Sequence, residues 1–291
     1  MEQYSIFHIE GGLGKHVAAT AIASCIKNNY PNRKFIVVCA YPEVFLNLKQ
    51  VDRVYRIGNT PYFYENYIKD KDSLIFKHEP YFTTDHIHQK LPLIQSWCKI
   101  YGLQFSGEKP ELVFNLRQIQ FGRNKWIRNR PILVLQTNGG PLVEQAYPYS
   151  WTRDMPRHVE ENIVKKYKDK YRIIQICRNG LQAIEGTEAV TDPMSNMELF
   201  SLLLVSEKRV LIDSCLQHAA AALDLKSTVL WIGTSPKVFG YDLHHNIFAK
   251  FDNDVKLPDS YLFDYNFTGA IHECPLINDD IFDINEIIES I

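Results

Sequence analysis

The sequence lacks the features that mark metal-binding, secreted and membrane-spanning proteins. Its six cysteines are scattered, with no CxxC pair and no Cys/His spacing of the kind that zinc sites use. The first residues show no signal-peptide pattern, and no apolar run approaches the ~20 residues that a membrane helix needs. Glycine and proline number only 14 each, and no low-complexity segment or short repeat is evident. We therefore expect a soluble, cytoplasmic globular protein with reduced cysteines.

The chain does contain an uneven distribution of charge. Residues 1–129 hold 17 Lys and Arg against 11 Asp and Glu, whereas residues 130–291 hold 15 against 23. A basic first half suggests that this half meets an anionic partner. Random scatter of surface charge is the alternative, and the count alone does not separate the two.

Short apolar runs alternate with helical segments along the whole chain. Strands are predicted at residues 4–9, 34–40, 54–57 and 73–77, and again at residues 132–136, 172–177, 210–212 and 228–232. Strands separated by helices are typical of open, mostly parallel sheets. At 291 residues the chain is long enough for two domains. We predict an α/β protein with domains at residues 1–129 and 130–291, and a terminal helix that could pack back on the first domain.

Two polar segments of the first half allow more than one interpretation. Residues 122–130 (GRNKWIRNR) are basic, and we interpret them as a solvated linker. Residues 77–88 bring His78, Glu79, Asp85 and two further histidines to the carboxyl end of a predicted strand. These residues could hold a metal ion, but polar groups at such a position more often face a substrate or solvent.

A glycine-rich turn, residues 10–16 (EGGLGKH), follows the first strand. Its glycines at 11, 12 and 14 allow a tight turn and let a ligand approach the N–H groups at the start of the next helix. The turn lacks the full GxGxxG fingerprint, and its Gly-Lys pair is not followed by Ser or Thr as in a Walker loop. A plain strand-to-helix connection therefore stays open beside a phosphate-binding role.

The clearest site signal is a second strand–turn–helix unit, residues 210–233. Asp213 and Ser214 directly follow a buried strand and are residue types that accept hydrogen bonds at helix starts. His218 and four alanines then form a helix with small side chains, which another backbone or a ligand can approach closely. A unit of this kind suits a nucleotide or phosphate. Residues 213–218 are called the Asp213 turn below.

Two open α/β domains with glycine-rich turns in both halves suggest a ligand in the cleft between them. The chain resembles GT-B glycosyltransferases, and more narrowly glycosyltransferase family nine, the ADP-heptose:lipopolysaccharide heptosyltransferase group. Three places carry the resemblance: GGLGKHVAATAIASCIKNNYP with VDRVYRIG, LVLQTNGG with SWTRDMP, and IDSCLQHAAAALDLKSTVLWIGTSP. The resemblance implies a GT-B architecture, with two Rossmann-like parallel-sheet domains facing a central cleft.

The resemblance also implies a site for a nucleotide-sugar donor. Arg153 would neutralise the diphosphate, for which a guanidinium is well shaped, and Arg178 would face the nucleoside or the phosphates. Helix N-termini and cationic side chains would handle the leaving charge, so no metal or cofactor is implied. The full implied donor set is Gly12, Gly14, Lys15, Asn138, Gly139, Arg153, Arg178, Asp213, Ser214, Cys215, Leu216 and His218.

Two departures from the family pattern affect the chemistry. Cys215 stands where the family has glycine, and Lys15 stands where the family has the aspartate that deprotonates the acceptor. A charged lysine cannot accept a proton, although Lys15 could contact a phosphate. Our candidates for the catalytic base are Asp85 and then Glu10, with His16 third; a surface or capping role is the alternative for both carboxylates.

These observations predict an inverting, metal-independent glycosyltransferase. The donor would be a nucleotide-diphosphate sugar and the acceptor a glycan such as lipopolysaccharide core. The basic first half would equally suit DNA, as in phage enzymes that glycosylate hydroxymethylated pyrimidines. A sugar-nucleotide epimerase or a non-catalytic nucleotide-sugar binder is the second alternative, which the loss of the aspartate at position 15 favours.

Overall fold

The computed structural model describes residues 1–139, 151–177, 181–190, 194–251, 276 and 278–291. Its first sheet, the N-terminal sheet, has the strand order β3-β2-β1-β4, and all its strand pairs are parallel. The strands are β1 (Gln3–Ile9), β2 (Lys34–Cys39), β3 (Arg53–Arg56) and β4 (Asp72–Phe76). The helices of this half are α1 (Leu13–Asn29), α2 (Phe63–Tyr67), α3 (Thr84–Ile87), α4 (Leu93–Ile100) and α5 (Leu116–Trp126), with short 3-10 turns at Pro42–Val44 and Pro80–Phe82.

The second sheet, the C-terminal sheet, has the order β10-β9-β8-β5-β6-β7, and its strand pairs are again parallel. The strands are β5 (Ile132–Gln136), β6 (Arg172–Ile176), β7 (Glu188–Val190), β8 (Lys208–Ile212), β9 (Thr228–Trp231) and β10 (His245–Phe248). The helices are α6 (Arg157–Tyr167), α7 (Asn196–Val205), α8 (Cys215–Ala222), α9 (Pro236–Phe239) and α10 (Ile284–Ser290).

The central strands are buried along nearly their whole length. Every residue of β5 is buried, and in β2 and β8 only the first residue is not. Parallel strands covered by helices on both faces need such continuous apolar runs, because neither face meets water. This requirement explains why the eight predicted strands recur in the structure within one or two residues at each end.

The two sheets share part of one hydrophobic core. A single cluster of buried side chains joins Ile22 of α1 and Phe35 of β2 to Leu211 of β8 and Trp231 of β9. Helix α1 makes this junction, since its residues from Val17 to Ala23 are buried on all sides. A helix that is apolar all round lies inside a protein rather than on its surface.

Residues 122–126 of the basic segment are the end of helix α5, so the linker interpretation is wrong for them, whereas residues 127–130 follow the helix and are exposed. Asn115 and Gln118 form a capping box at the start of the helix. At its other end the indole N–H of Trp126 donates to Ser201 Oγ of α7 at 3.1 Å. A Cβ on Gly122 would lie 2.7 Å from Ser201 Cβ, so the helices touch there. The basic side chains are exposed on one side of α5, while Gly122 and Trp126 on the other side are buried against α7.

The terminal helix α10 packs on the second half of the chain. Tyr167 of α6 donates its hydroxyl to the carbonyl of Ile288 at 2.7 Å, and Thr228 of β9 shares a 2.8 Å hydrogen bond with Ser290. The side chain of Ile287 lies in the core of this half. These contacts are with the second domain, whereas we predicted packing back on the first.

Five cysteines fall within the described residues, and all five are free thiols. Four of them, Cys25, Cys39, Cys98 and Cys177, are buried. The expectation that several cysteines are core residues is thus confirmed for these four. Within the described residues, none of the helices is both long enough and apolar enough to cross a bilayer.

Candidate active site

The first turns of α1 and α8 lie in backbone contact between the two sheets. A Cβ on Gly14 would lie 3.1 Å from Cys215 Cα and 3.1 Å from His218 Cδ2, so only glycine fits at this crossing without a shift. A Cβ on Gly12 would meet no atom of the described residues within 4 Å. The space beside Gly14 is therefore filled by the Asp213 turn itself, whereas the space beside Gly12 is open to a ligand.

Neither of these two helices is capped by a side chain. Gly12, the N-cap of α1, has no side chain, and the Ser214 side chain makes no capping hydrogen bond to α8. The N–H groups of a first helical turn have no partner within the helix, and they favour an anion or water. Two such helix starts, side by side, suit a phosphate group.

Arg153 is fixed over the carboxyl end of the C-terminal sheet. Met155 N donates to Thr137 O at 2.9 Å, directly after β5, and Gly233 N donates to Thr152 O at 2.8 Å, directly after β9. Strand β8 lies between β5 and β9. The segment that carries Arg153 therefore crosses the end of β8, where the Asp213 turn begins.

The polar groups around Arg153 match the residues that the sequence singled out. Burial raises the pKa of Asp213, and the Arg153 guanidinium offsets part of that shift. A Cβ on Gly139 would overlap the Arg153 side chain, so glycine makes room for it. Gly139 N donates to Asp154 Oδ1 at 3.1 Å, and the buried amide of Asn138 accepts from Thr137 Oγ1 at 3.1 Å. The structure thus brings positions 138, 139, 153 and 213 together.

His218 is a neutral, hydrogen-bonded side chain. Its Nδ1 lies 2.8 Å from the Tyr241 hydroxyl. Burial lowers the pKa of His218 to about 3, with a smaller contribution from His244. The preceding side chain, Gln217, donates to the carbonyl of Phe239 in α9 at 3.0 Å. His218 therefore carries no positive charge at neutral pH.

Two further residues of the Asp213 turn, Leu216 and Cys215, can contribute backbone groups to a site but not reactive side chains. The Leu216 side chain is fully buried in the core, so only its backbone is available to a ligand. Burial raises the pKa of Cys215 to about 11, which keeps it a thiol rather than a nucleophilic thiolate. Its backbone, in contact with Gly14, is what matters for the helix crossing.

Lys15 has a carboxylate partner that the sequence analysis did not identify as a site residue. Its Nζ lies 2.8 Å from Glu79 Oε2 and 5.0 Å from the centre of the Tyr81 ring. Gly11 adopts φ +90°, and a Cβ there would lie 2.7 Å from Lys15 Nζ. The glycine-rich turn therefore makes room for an ammonium group. The signal for Glu79 was its position just after β4, the strand that pairs with β1.

The two carboxylates predicted as bases lie against surface lysines. Asp85 Oδ2 accepts from Lys99 Nζ at 2.5 Å, in the first turn of α3. Glu10 lies 3.6 Å from His8 Nδ1 and 3.9 Å from Lys77 Nζ, with 58% of its side chain exposed. A catalytic role for either stays a prediction.

His16, the third candidate base, has both ring nitrogens engaged inside the fold. Ala40 N donates to His16 Nε2 at 3.1 Å, and His16 Nδ1 lies 2.9 Å from Gly12 O. Nε2 therefore accepts and Nδ1 donates, which fixes a neutral tautomer. Burial lowers the pKa of His16. These hydrogen bonds connect the glycine-rich turn to the end of β2. They leave no free lone pair on the ring that could take a proton from an acceptor hydroxyl.

The loop after β4 also reaches the second half of the chain. The ring of Tyr81 packs on His86 at 5.1 Å, and His86 packs on Phe239 of α9 at 5.5 Å. Phe239 in turn accepts the hydrogen bond from Gln217, next to His218. Lys15, Glu79 and the Asp213 turn are thus parts of one connected region.

Arg178, predicted to face the nucleoside or the phosphates, lies outside the described residues, as do residues 140–150 of the loop after β5. Across the ranges that are described, no three His, Cys, Asp or Glu side chains are grouped so that they could hold a metal ion.

The comparison with solved structures shows the fold. No family model matches the sequence, and no curated protein matches it. Among solved structures, a family 9 glycosyl transferase from Veillonella parvula DSM 2008 aligns over 99% of this chain and 95% of its own, with a TM-score of 0.70 and 10% identity. The chain has the fold of glycosyltransferase family nine.

Two further structures share the family-nine fold. The ADP-heptose LPS heptosyltransferase II of E. coli aligns over 90% of this chain and 94% of its own, with a TM-score of 0.62 and 11% identity. The E. coli heptosyltransferase WaaC with ADP aligns over 85% and 93%, with a TM-score of 0.55 and 12% identity. The predicted GT-B architecture of two Rossmann-like parallel-sheet domains is therefore confirmed.

Proposed function

We propose that this protein is a glycosyltransferase that moves a sugar from a nucleotide-diphosphate sugar to an acceptor hydroxyl. The main support is the meeting of the two uncapped helix starts, α1 and α8, beside Arg153 in a family-nine fold. This grouping suits a diphosphate, because it combines free N–H groups with a guanidinium. WaaC, which shares the fold, has been solved with ADP and with ADP-2-deoxy-2-fluoro heptose. We therefore propose an ADP-sugar as the donor.

Transfer requires that the departing diphosphate be stabilised. In the proposed reaction Arg153 and the first-turn N–H groups of α8 neutralise the charge that develops on the leaving oxygen. These groups are already in place before the reaction, so little reorganisation is needed. Attack by the acceptor from the opposite face would invert the anomeric centre, and the scheme uses no metal.

The proposed acceptor is a glycan such as lipopolysaccharide core. The two E. coli structural neighbours are heptosyltransferases, one of them an LPS heptosyltransferase. The net charge of +6 over residues 1–129 suits an anionic glycan and would equally suit DNA. Salt separates the two, because protein–DNA affinity falls steeply with salt as counterions are released. A weak dependence of acceptor affinity on salt would support the glycan.

Calorimetry with ADP tests the donor site. The intact protein should bind ADP, and Arg153→Gln should weaken binding about 10-fold or more through loss of a charge-assisted hydrogen bond. Arg117→Gln, which alters an exposed arginine on α5, is the matched control and should leave the affinity unchanged. If the protein binds neither ADP nor UDP, the proposed function is wrong.

Incubation with ADP-heptose separates a transferase from its alternatives. A transferase releases free ADP, slowly to water and faster when a lipopolysaccharide core acceptor is present. Interconversion of the donor sugar without release of ADP would instead identify an epimerase. Binding of ADP with neither outcome would identify a nucleotide-sugar binder that does no chemistry.

A further inference from the structure

Position 15 carries a positive charge where the proposed reaction calls for a base. A protonated lysine cannot take a proton from an acceptor hydroxyl. The structure gives this lysine a carboxylate, since Lys15 Nζ and Glu79 Oε2 are 2.8 Å apart. Both side chains are partly buried, with 17% and 26% of their surface exposed. We propose that Glu79 is the carboxylate that accepts the proton of the acceptor hydroxyl and that Lys15 positions it; this inference rests on the proposed function.

Glu79 is held on a rigid support. The indole N–H of Trp97 donates to the carbonyl of His78 at 3.0 Å, and the Tyr101 hydroxyl donates to the same carbonyl at 2.5 Å. Both donors belong to α4 and its C-cap. Pro80 follows Glu79 and restricts it to extended backbone, which the structure shows at φ −113° and ψ 150°. A catalytic group needs such support to keep its geometry.

Lys15 is held equally firmly on the other side of the pair. It belongs to the first turn of α1, where Gly11 leaves space for its ammonium and the Tyr81 ring packs against that ammonium. The preceding residue, Gly14, touches Cys215. The pair therefore lies on the N-terminal side of the helix crossing, next to the Asp213 turn.

This placement favours Glu79 over the carboxylates that the sequence suggested. Asp85 pairs with a lysine of α4 rather than with one at the α1–α8 crossing, and Glu10 is mostly exposed between His8 and Lys77. Glu79 is connected to the Asp213 turn by two routes, through Lys15 and the α1–α8 crossing and through Tyr81 and α9. A base on the acceptor side must lie at this boundary to reach a hydroxyl that faces the donor.

The proposed step balances without any further reactant. The acceptor oxygen forms a bond to the anomeric carbon, and the bond from that carbon to the diphosphate oxygen breaks. The electron pair of the broken bond leaves with the nucleoside diphosphate. The hydroxyl proton moves to a carboxylate oxygen of Glu79. Since the hydroxyl becomes acidic as its new bond forms, a carboxylate within an ion pair is basic enough.

Glu79→Gln tests the base directly. Its release of ADP from ADP-heptose should fall about 100-fold or more, as expected for the loss of a general base. Its affinity for ADP should stay within twofold of the wild-type value, which also shows that the variant is folded. Glu79→Asp should recover part of the rate. Glu65→Gln, an exposed carboxylate on α2, is the matched control and should keep the full rate.

A conservative rescue tests the role of Lys15. Lys15→Met should lower kcat but leave the affinity for ADP within twofold of the wild-type value, because Glu79 loses the ammonium that holds it. Lys15→Arg should recover part of kcat, since a guanidinium can pair with the same carboxylate. A Lys15→Met variant that keeps the wild-type kcat would show that Lys15 does not position Glu79. The double variant Lys15→Met/Glu79→Gln removes both charges, so it leaves no unpaired charge that could cause a folding defect. It should be as inactive as Glu79→Gln.

The outcomes separate this inference from the proposed function. If the wild-type protein binds ADP and releases it from ADP-heptose while Glu79→Gln keeps at least a third of the rate, Glu79 is not the base and the proposed function stands. Loss of the rate in Asp85→Asn or Glu10→Gln, but not in Glu79→Gln, would move the role to that residue. If the wild-type protein binds neither ADP nor UDP, or binds ADP without any release from ADP-heptose, the transfer reaction and the role of Glu79 are both wrong.

Discussion

Gly14 and Cys215 are in contact through their backbones: a Cβ on Gly14 would lie 3.1 Å from Cys215 Cα. This contact brings the glycine-rich turn of the first half against the Asp213 turn of the second. It gives Gly14 a packing role and leaves Gly12 as the glycine beside open space. It also explains how cysteine is tolerated at position 215, since the close approach at this point depends on the missing side chain of Gly14.

Gly14→Val should destabilise the protein by about 1–3 kcal/mol, the usual cost of forcing extra atoms into a packed contact. Gly12→Ala adds a methyl group in open space and should cost less than about 1 kcal/mol. Urea unfolding of both variants measures the difference. Equal stability of the two would show that α1 and α8 are not in contact at position 14.

Gly11→Ala should also destabilise the protein, for two reasons that can be separated. The backbone at φ +90° strains any residue with a Cβ, which costs about 1–3 kcal/mol, and the new Cβ would press on Lys15 Nζ. In a Lys15→Met background the second contribution should shrink, because the ammonium is gone. A double-mutant cycle by urea unfolding measures this coupling. Strict additivity would contradict the position of Lys15 over Gly11.

His218 should make the stability of the protein depend on pH. Burial lowers its pKa in the folded state to about 3, so the unfolded chain binds the proton more tightly. Stability contributed by the neutral imidazole is therefore present above the unfolded pKa of about 6.5 and is lost as the pH falls towards 3. At pH 5 the loss should be about 2 kcal/mol.

The contribution of His218 can be isolated with His218→Asn, which does not titrate. The stability difference between wild type and variant should shrink between pH 7 and pH 5, as measured by urea unfolding. The comparison cancels the other buried histidines, His16, His86 and His244, whose pKa values burial also lowers. A difference that does not change with pH would mean that His218 is not buried as described.

Ser201→Ala should show that α5 is packed rather than a linker. The change removes the acceptor of the buried Trp126 indole N–H and should cost about 1–3 kcal/mol. Gln120→Ala, on the exposed side of α5, is the control and should be close to neutral. Thermal or urea unfolding gives both values. A neutral Ser201→Ala would indicate that the contact between α5 and α7 is absent in solution.

Local pattern was enough to predict the fold class. Parallel strands covered on both faces must be apolar throughout, and this rule identified β5, β6 and β8 directly. The short elements β7, β10 and α2 were not predicted, because three to five residues cannot show a clear period. The end of helix α5 was interpreted as a linker because its charged residues dominate the sequence there. Gly122 and Trp126 are buried only because α7 packs against them, and the sequence pattern does not show that contact.

The amino-acid pattern pointed to the Asp213 turn, since a polar turn after a buried strand is a local feature, and the family resemblance pointed to Arg153. Neither of them paired Glu79 with Lys15. The two members of the Lys15–Glu79 pair are 64 residues apart, and they meet because β4 pairs with β1 at the edge of the N-terminal sheet. Strand order is set by how whole elements pack, and a lysine at position 15 has no partner until that order is known. The residue types along the chain therefore indicated a site for a phosphate-bearing ligand. Which charged side chains meet in that site was decided by the packing of distant segments.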